Sequence, residues 1–366
     1  MSYLYDLPGW PRFTWNDASL AATLAAVRHR QGRLLGRMEG LGLAERNEAS
    51  LQALTQEAIK SSEIEGEFLR GDLVRSSIAR RLGLDAGGLT PADRRVEGLA
   101  DMVVDATREY AAPLTKERLF SWHKSLFAGG HGPYPITIGG WRDDSRGPMQ
   151  VVSGQLGAEK VHYEAPPATR LEKEMTAFLA WENGRDALDP VLKAAIAHLW
   201  FVTIHPFDDG NGRIARAIAD RALARSENSA RRFYSMSAQI RDERGAYYAV
   251  LELTQKDNLD ITDWLKWFLD CLGRALEGSE GQLASVLAKE RFWKSHAGKM
   301  LNERQHLMLN KLLDGFEGKL TSTKWSNLAK CSQDTAHRDI LDLIERGVLI
   351  QDAGGGRSTS YSLRQV

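Results

Sequence analysis

The chain has 366 residues and carries 48 Lys plus Arg against 48 Asp plus Glu, so its formal net charge at pH 7 is zero. This balance gives no reason to expect general attraction to nucleic acid or to a membrane surface. Hydrophobic residues make up 43% of the chain and charged residues 26%, proportions that are typical of globular proteins. A chain of this length has room for two or three domains.

The two cysteines, Cys271 and Cys331, do not have the spacing of a metal site and are expected to be reduced thiols. The first fifteen residues, MSYLYDLPGWPRFTW, lack the charged and then apolar pattern of a secretory leader. No apolar run approaches the ~18 residues that a membrane span requires. We therefore expect a cytoplasmic location and no membrane partner.

The first 112 residues are predicted to form an N-terminal helical region. Five aromatic residues lie within residues 3–15, among prolines and a glycine, and so many exposed aromatics would favour aggregation. We therefore expect an irregular strap that packs on the body of the protein. Asn16 or Asp17 can cap a first helix, and a second helix is predicted over residues 44–66.

The second helix ends in the sequence SSEIEG. Within it, Ser61 and Glu65 lie one turn apart on the same face, and Gly66 suits the left-handed residue that ends many helices. The helix dipole disfavours a carboxylate in the last turn, so Glu65 is expected to need a cationic partner. The alternative is a solvated carboxylate, the usual state of a single surface glutamate.

Beyond residue 112, a helix is predicted to follow Thr115 and to end near Phe127. A polar, glycine-rich region comes next and contains two short strands, Met149–Val152 and Val161–Tyr163. The two strands predict a β-hairpin, which is either functional or purely structural.

The richest stretch in chemical groups is residues 205–216, HPFDDGNGRIAR. It follows an apolar segment, residues 191–204, that is long enough for a buried helix. It leads into residues 213–225, which read as a second helix. The glycine-containing turn at residues 210–212 therefore opens a helix N-terminus, where backbone N–H groups and the helix dipole favour a phosphate group.

The charged side chains around this turn fit the same ligand. Arg213 and Arg216 share one helical face and can both reach a polyphosphate. Asp209 precedes the turn, where one carboxylate can hold a Mg²⁺ ion that also binds phosphate oxygens. His205 is a candidate general base. The alternative is a helix corner with a core histidine and surface ion pairs, but such a corner needs no constellation of this kind.

These twelve residues resemble the motif of Fic-domain enzymes, H-x-F-x-[DE]-G-N-G-R-x-x-R, at every fixed position. The resemblance implies a mainly α-helical core with a small hairpin flap. It also implies an adenylyltransferase that moves AMP from ATP to Ser, Thr or Tyr hydroxyl groups of target proteins, including itself. In this reading His205 deprotonates the hydroxyl, Phe207 anchors the loop, and Asp209 binds Mg²⁺. Related Doc-type kinases have a lysine in place of Gly212, which favours AMP transfer over phosphate transfer.

The same resemblance implies an ATP site. The side chain of Asn211 and the glycine amides would hold the α- and β-phosphates, with Arg213 nearby and Arg216 on the γ-phosphate. Paired tyrosines usually fill cores, but Tyr247 and Tyr248 stand where Fic domains line the adenine pocket. Gln255 stands where many relatives have an asparagine. The expected ATP-binding residues are Val151, Val152, Ser153, Gly154, Asp209, Gly210, Asn211, Gly212, Arg213, Arg216, Tyr247, Tyr248 and Gln255.

The segment from Ser61 to Gly66 resembles the inhibitory motif of Fic proteins, [ST]-x-x-x-E-[GN]. In that family the glutamate pairs with the second arginine of the motif, here Arg216, so Ser61 and Glu65 are the expected inhibitory residues. The resemblance also implies that a target protein adds an extended segment to the edge of the flap hairpin. The resemblance is also compatible with a homodimer.

The Fic resemblance is taken to cover residues 113–277. Residues 278–300, loosened by two glycines, are predicted to form a helical linker. Residues 301–366 resemble a winged helix, with two short helices and two strands around the turn at residues 354–356. From Lys319 onward this part has seven Lys or Arg and five Asp or Glu, which is little charge for binding DNA phosphates. DNA binding is therefore not favoured over a protein-docking or packing role.

Two alternatives to AMP transfer stay open. One is removal of AMP from modified targets, in which the inhibitory glutamate orients water. The other is a DNA-binding regulator whose Fic-like core only senses nucleotide. An intact His205 argues against the second alternative.

Overall fold

The computed structural model describes residues 3–84, 93–130, 135–154, 160–184, 187–298, 300–313, 316, 318–352 and 359–364. The chain divides into two compact units, Met1–Glu280 and Gly281–Val366. Each described unit is mainly helical and contains a two-stranded antiparallel sheet. The mainly helical class predicted from the sequence is therefore confirmed.

The first unit consists of helices around one small hairpin. Its helices are α1 Asp17–Glu39, α2 Leu43–Ile64, α3 Gly71–Leu82, α4 Arg94–Arg108, α5 Lys116–Leu126, α6 Leu171–Asn183, α7 Pro190–Ile204, α8 Asn211–Glu227, α9 Met236–Asp242, α10 Arg244–Gln255 and α11 Thr262–Ser295, with 3-10 turns at Leu4–Asp6 and Ala168–Arg170. The boundary between the two units falls within α11.

The central element of the first unit is α7, whose residues from Val191 onward are buried except Lys193. A helix that is apolar on all sides belongs in a core, as the sequence predicted. Asp189 caps it by accepting a hydrogen bond from the Val191 N–H at 2.8 Å. α7 packs along α8, so the end of one helix and the start of the other meet at a buried loop. Of the described helices, none combines the length and the apolar character needed to cross a bilayer.

α2 packs against α3, α8 and α9. It ends at Ile64, with Glu65 as its C-cap residue, so the predicted helix was slightly too long at its C-terminus. Gly66 takes a left-handed backbone conformation, with φ of 83°, as its position after a helix predicted. The end of α2 therefore carries Glu65 towards α8.

The hairpin is formed by β1 Gln150–Ser153 and β2 Lys160–Glu164, which pair antiparallel. Tyr163 is buried, and its hydroxyl donates a hydrogen bond to the Thr203 carbonyl oxygen at 2.5 Å. This bond ties the hairpin to the last turn of α7. The predicted hairpin is confirmed.

The N-terminal segment packs as the predicted strap. Tyr5 lies edge-on to Tyr163, with ring centroids 6.3 Å apart. Trp10 and Phe13 both pack on Trp200 of α7, at 6.1 and 5.9 Å. The aromatic residues at the start of the chain thus cover the hairpin and the central helix.

The second unit contains α12 Glu303–Leu313, α13 Ser322–Leu328, α14 Gln333–Glu345 and an antiparallel pair of strands, β3 Leu349–Gln351 and β4 Tyr361–Leu363. The hydrophobic core of this unit contains Trp325 of α13, which is fully buried. The order of helices and strands is the one predicted, and the winged-helix assignment stays a prediction. The glycines at 354–356 lie outside the described residues.

The two glycines of the predicted linker do not interrupt the helix. α11 continues through Gly278 and Gly281 to Ser295. A Cβ added at either glycine would meet nothing within 4 Å, so close packing does not require them. Each costs helix stability of roughly 1 kcal/mol relative to alanine, which a long, partly packed helix tolerates.

The close approach of α4 and α5 generates a stability prediction. A Cβ at Gly98 would lie 1.7 Å from the carbonyl oxygen of Ser125. Gly98→Ala should therefore lower the free energy of unfolding by about 1–3 kcal/mol through overpacking. The matched control is Gly36→Ala in α1, where an added Cβ meets nothing and stability should rise by about 0.5–1 kcal/mol. Urea unfolding measures both, and effects of the same sign would contradict the close packing of Gly98 on the Ser125 carbonyl.

Candidate active site

The loop between α7 and α8 has two left-handed residues. His205, which ends α7, has φ of 51° and ψ of 59°, and Gly210, which precedes α8, has φ of 80°. A non-glycine residue in this conformation is strained and needs support from its surroundings. Arg142 supplies it, since its Nε donates to the His205 carbonyl at 2.8 Å and its backbone N–H donates to the Pro206 carbonyl at 3.0 Å. No pattern in the sequence indicated this role of the buried Arg142.

Phe207 and Asn211 close the loop from inside. Phe207 is fully buried, as predicted. The Asn211 Nδ2 donates to the Phe207 carbonyl at 2.8 Å, and the Phe207 N–H donates to Asn211 Oδ1 at 3.0 Å. The resemblance implied that the Asn211 side chain would hold a phosphate group. In the structure its amide is instead bonded to the loop backbone, which it shapes. Its backbone N–H remains at the N-terminus of α8.

His123 of α5 supports the same loop and was not singled out in the sequence. It is fully buried and stacks on the Phe207 ring with centroids 4.2 Å apart. Its Nδ1 accepts from the Gly139 N–H at 3.0 Å, so its Nε2 donates to the Asp209 carbonyl at 3.2 Å. Burial lowers the pKa of His123 to about 4, so the ring is neutral at pH 7. The only signal in the sequence was a polar residue in a predicted helix.

The His205 side chain lies at the C-terminal end of α7. Its Nδ1 lies 3.2 Å from the Val202 carbonyl oxygen, so Nδ1 carries the proton and Nε2 can accept one. Burial lowers the pKa of His205 to about 4. The imidazole is therefore neutral at pH 7 and in the state that a general base requires.

The structure brings together Arg216, Ser61 and Glu65. The Arg216 Nε donates to Ser61 Oγ at 2.9 Å, and its Nη2 donates to the Ser61 carbonyl at 2.9 Å and to Glu65 Oε1 at 2.8 Å. Arg216 is only 3% exposed, and its Nη1 makes no hydrogen bond to the described residues. Glu65 therefore has the cationic partner that its place at the helix end required.

Arg213 is covered by the same segment of chain. Its Nη1 donates to Glu67 Oε2 at 3.0 Å, and its Nη2 lies 3.7 Å from Asp209 Oδ1. Glu67 was not predicted to take part, although it lies only two residues after Glu65. Both arginines of the motif thus have carboxylate partners from the residues that follow α2.

Gly212 is needed for the approach of Glu65. A Cβ at this position would lie 2.3 Å from Glu65 Oε1 and 3.2 Å from Arg216 Nη1. Any larger residue would displace the carboxylate from the guanidinium. The second glycine of the motif therefore makes room for the ion pair between α2 and α8.

Asp209 has an exposed carboxylate, with 61% of its side chain accessible. Its Oδ1 accepts a hydrogen bond from the Gly210 N–H at 2.5 Å. The described residues contain no group of three or more His, Cys, Asp or Glu side chains able to hold a metal ion. A Mg²⁺ ion here would have to combine one carboxylate with phosphate oxygens and water, a common arrangement for this ion.

The residues expected near the adenine differ in exposure. Tyr247 is buried and hydrogen-bonded through its hydroxyl to His198 Nε2 at 2.9 Å. Tyr248 is 38% exposed and is the more accessible ring. Gln255 is buried, and its Nε2 donates to Thr203 Oγ1 at 3.3 Å. The Gln255 amide thus serves the core, and the expected contact with ATP is not supported by its position.

The four hairpin residues expected at the ATP site point in different directions. Val151 packs against the cluster formed by Tyr5 and Tyr163. Val152, Ser153 and Gly154 are exposed. The structure therefore leaves three of these four residues accessible to a ligand.

Two parts of the chain match known protein-family models. Residues 113–223 match the Fic/DOC family, and residues 3–84 match Domain of unknown function (DUF4172). Residues 113–223 are therefore a Fic domain. A Fic family protein of known structure from Desulfovibrio desulfuricans has a TM-score of 0.52 at 21% identity, with 96% of this chain and 98% of that chain covered. The two share a fold.

Two proteins with named activities are similar to this chain at modest sequence identity. A protein adenylyltransferase Fic from Nematostella vectensis is 27% identical over 232 residues, covering 62% of this chain and 48% of its own length. A uridine 5'-monophosphate transferase from Xanthomonas campestris is 33% identical over 131 residues, covering 33% of this chain and 23% of its own length. The chain therefore spans about half of the first relative and about a quarter of the second.

The buried state of His123 generates a pH prediction. Its folded pKa, about 4, lies below the ~6.5 of an unfolded histidine, so the unfolded chain binds more protons between these values. The stability that neutral His123 provides is full above pH 6.5 and is lost as the pH falls towards 4.

His123→Gln should therefore lower the free energy of unfolding by about 1–3 kcal/mol at pH 7, and this difference should shrink below pH 6.5. Urea unfolding at a series of pH values measures it. His29→Gln, which alters an exposed histidine of α1, is the control and should change stability little. A difference for His123→Gln that does not vary with pH would contradict its buried, neutral state.

Proposed function

We propose that this protein transfers AMP from ATP to Ser, Thr or Tyr hydroxyl groups of target proteins, including its own chain, and that Glu65 restrains the reaction. One observation carries the proposal. A neutral imidazole, a helix N-terminus and two buried arginines converge at one loop, with a carboxylate already on Arg216. The relatives named adenylyltransferases support the same reading.

In the proposed reaction, His205 Nε2 accepts the proton of the target hydroxyl as its oxygen attacks the α-phosphorus of ATP. The new O–P bond forms while the bond from the α-phosphorus to the oxygen that bridges to the β-phosphate breaks, and pyrophosphate leaves. N–H groups at the start of α8, together with Arg213 and Arg216, would stabilise the phosphate charge. The neutral state of the His205 imidazole at pH 7 supports its part.

Asp209 is the residue proposed to hold Mg²⁺. Its carboxylate is exposed and stands directly before the N-terminus of α8, which fits an ion that takes one carboxylate and several phosphate oxygens. The ion would neutralise phosphate charge when bound.

Glu65 is proposed to inhibit by occupying Arg216, which would otherwise bind the γ-phosphate. Glu67 occupies Arg213 in the same way. ATP would still enter, but with its α-phosphate turned away from attack, and a misplacement of about 1 Å can cost roughly 10²-fold in rate. Inhibition would therefore act on turnover more than on ATP affinity.

A second candidate is transfer of UMP, favoured by the relative named a uridine 5'-monophosphate transferase. Transfer measured with labelled UTP and labelled ATP in parallel separates the two nucleotides. Removal of AMP from a modified protein is a third candidate, and it would require the Glu65 carboxylate. It would be lost in a Glu65→Gly variant, whereas AMP transfer would rise.

His205→Ala should lower AMP transfer by about 10²–10⁴-fold, because it removes the proposed proton acceptor. ATP binding should persist, since the α8 N-terminus and both arginines are retained. Labelled-ATP transfer and calorimetric ATP binding measure the two quantities. If the variant labels proteins as fast as its parent, His205 is not the base.

Glu65→Gly should raise kcat for AMP transfer by about 10²-fold, far more than it tightens ATP binding. The matched control is Glu63→Gly, because Glu63 lies in the same last turn of α2 but pairs with Lys60 and Arg241. The control should leave the rate near that of the wild type. Equal rates for wild type and Glu65→Gly would mean that the ion pair is only structural.

The Arg216 side chain provides a further check on this prediction. Arg216→Ala placed in the Glu65→Gly protein should lower the raised rate, because the γ-phosphate loses its proposed partner. An unchanged rate would place the γ-phosphate elsewhere.

A further inference from the structure

A second set of hydrogen-bonded side chains lies between the hairpin and α10. Ser153 Oγ is 2.5 Å from His162 Nε2, and His162 Nδ1 is 2.6 Å from Glu252 Oε2. The other oxygen of Glu252 accepts a hydrogen bond from Lys256 Nζ at 2.6 Å. Ser153 belongs to β1, His162 to β2 and Glu252 to α10, so three elements converge on this set.

The order hydroxyl, imidazole, carboxylate is the arrangement of an activated nucleophile. Hydrogen bonds from Lys256 and His162 lower the pKa of Glu252 to about 2, so its carboxylate is ionised at neutral pH. An ionised carboxylate beside Nδ1 keeps the proton on that nitrogen and leaves Nε2 to accept the proton of Ser153. Ser153 is exposed, so a reactant can reach its hydroxyl.

The hairpin that carries Ser153 and His162 is hydrogen-bonded to α7 and to α10, the helix that carries Tyr247 and Tyr248. Tyr163, the neighbour of His162 on β2, is bonded to the carbonyl of Thr203, two residues before His205. Glu252 lies one helical turn after Tyr248 on the same face of α10. Ser153 is therefore carried by a hairpin that is fixed to both helices expected to border ATP.

We propose that Ser153 is a hydroxyl that this protein modifies on its own chain, with His162 as the proton acceptor and Glu252 as the residue that positions His162. The inference rests on the proposed nucleotide transfer and names one acceptor for it. The bond from Ser153 Oγ to the α-phosphorus of ATP forms as the bond from that phosphorus to the oxygen bridging to the β-phosphate breaks. Pyrophosphate leaves, and the hydroxyl proton moves to His162 Nε2.

The product, a phosphodiester between Ser153 and AMP, would change the hairpin. It removes the hydroxyl hydrogen that Ser153 donates to His162 and adds a negative charge and a bulky group at the end of β1. The family resemblance implies that an extended target segment pairs with the edge of this hairpin. Self-modification would therefore compete with target docking.

The first experiment uses the full-length Glu65→Gly protein incubated with ATP and mapped by peptide mass spectrometry. AMP is expected on Ser153, and Ser153→Ala should remove it. The matched control is Ser145→Ala. The Ser145 hydroxyl is also exposed and donates to a carboxylate, Asp143 at 2.5 Å, with no histidine between them, so this variant should leave Ser153 labelling unchanged.

Two further variants test the relay itself. His162→Ala should lower Ser153 labelling by about 10²-fold or more, and imidazole added to the solution should restore part of it. Glu252→Gln should lower labelling, and Glu252→Asp should keep more of it than Glu252→Gln. A structural role for these residues would not be rescued by free imidazole.

A second experiment does not depend on nucleotide transfer. A fluorophosphonate reacts with an activated serine by forming an O–P bond as the P–F bond breaks and fluoride leaves. It should label Ser153 of the wild type without ATP, and His162→Ala should reduce that label.

The outcomes separate this inference from the proposed function. AMP on other proteins, with Ser153 free of both AMP and the fluorophosphonate, would overturn the inference and leave the proposed function standing. Loss of target modification in His162→Ala that imidazole does not rescue, with Ser153 unmodified, would show that the set only fastens the hairpin to α10. Fluorophosphonate on Ser153 with no AMP on any protein would overturn the proposed function and Ser153 as an AMP acceptor together.

Discussion

The buried guanidinium of Arg216 sets the main constraint on the first unit, because a cation that is 3% exposed needs an anion or strong acceptors within reach. Ser61 of α2 and Glu65, its C-cap residue, provide them, so α2 must dock against α8 in one register. Breaking a fully buried pair costs about 3–5 kcal/mol, and less here because Glu65 is partly exposed. A phosphate group that replaced the Glu65 carboxylate would give the Arg216 guanidinium the same kind of anionic partner.

The loop before α8 depends on a second set of contacts. His205 keeps its left-handed backbone because Arg142 binds the carbonyl oxygens of residues 205 and 206. Phe207, His123 and the Asn211 amide fill the space beneath it. These groups are buried and neutral apart from Arg142, so the loop is held without competing for the surface where a ligand would bind. A strained backbone that is held this firmly is typical of functional loops.

The position of each expected ligand contact follows from how its element packs. Gln255 is the last residue of α10, where its side chain is buried and bonded to Thr203. Val151 faces the aromatic strap, whereas Val152 and Ser153 face outward. The resemblance to a family assigns such residues by their place along the chain. Which of them reach a ligand is decided by the side of the strand or helix on which they lie.

The sequence by itself determined the helical class, the buried α7, the hairpin, the Gly66 helix end and the whole loop motif, because each depends on a local pattern of apolar, glycine and capping residues. Family resemblance added the pairing of Glu65 with Arg216. Tertiary structure alone decided the roles of Arg142, His123 and Glu67, the inward turn of the Asn211 amide, and the meeting of Ser153 with His162 and Glu252. Glu67 reaches an arginine 146 positions away, and His162 a carboxylate 90 positions away. No local pattern encodes which of many charged and polar residues will meet at such separations, since the packing of whole helices brings them together.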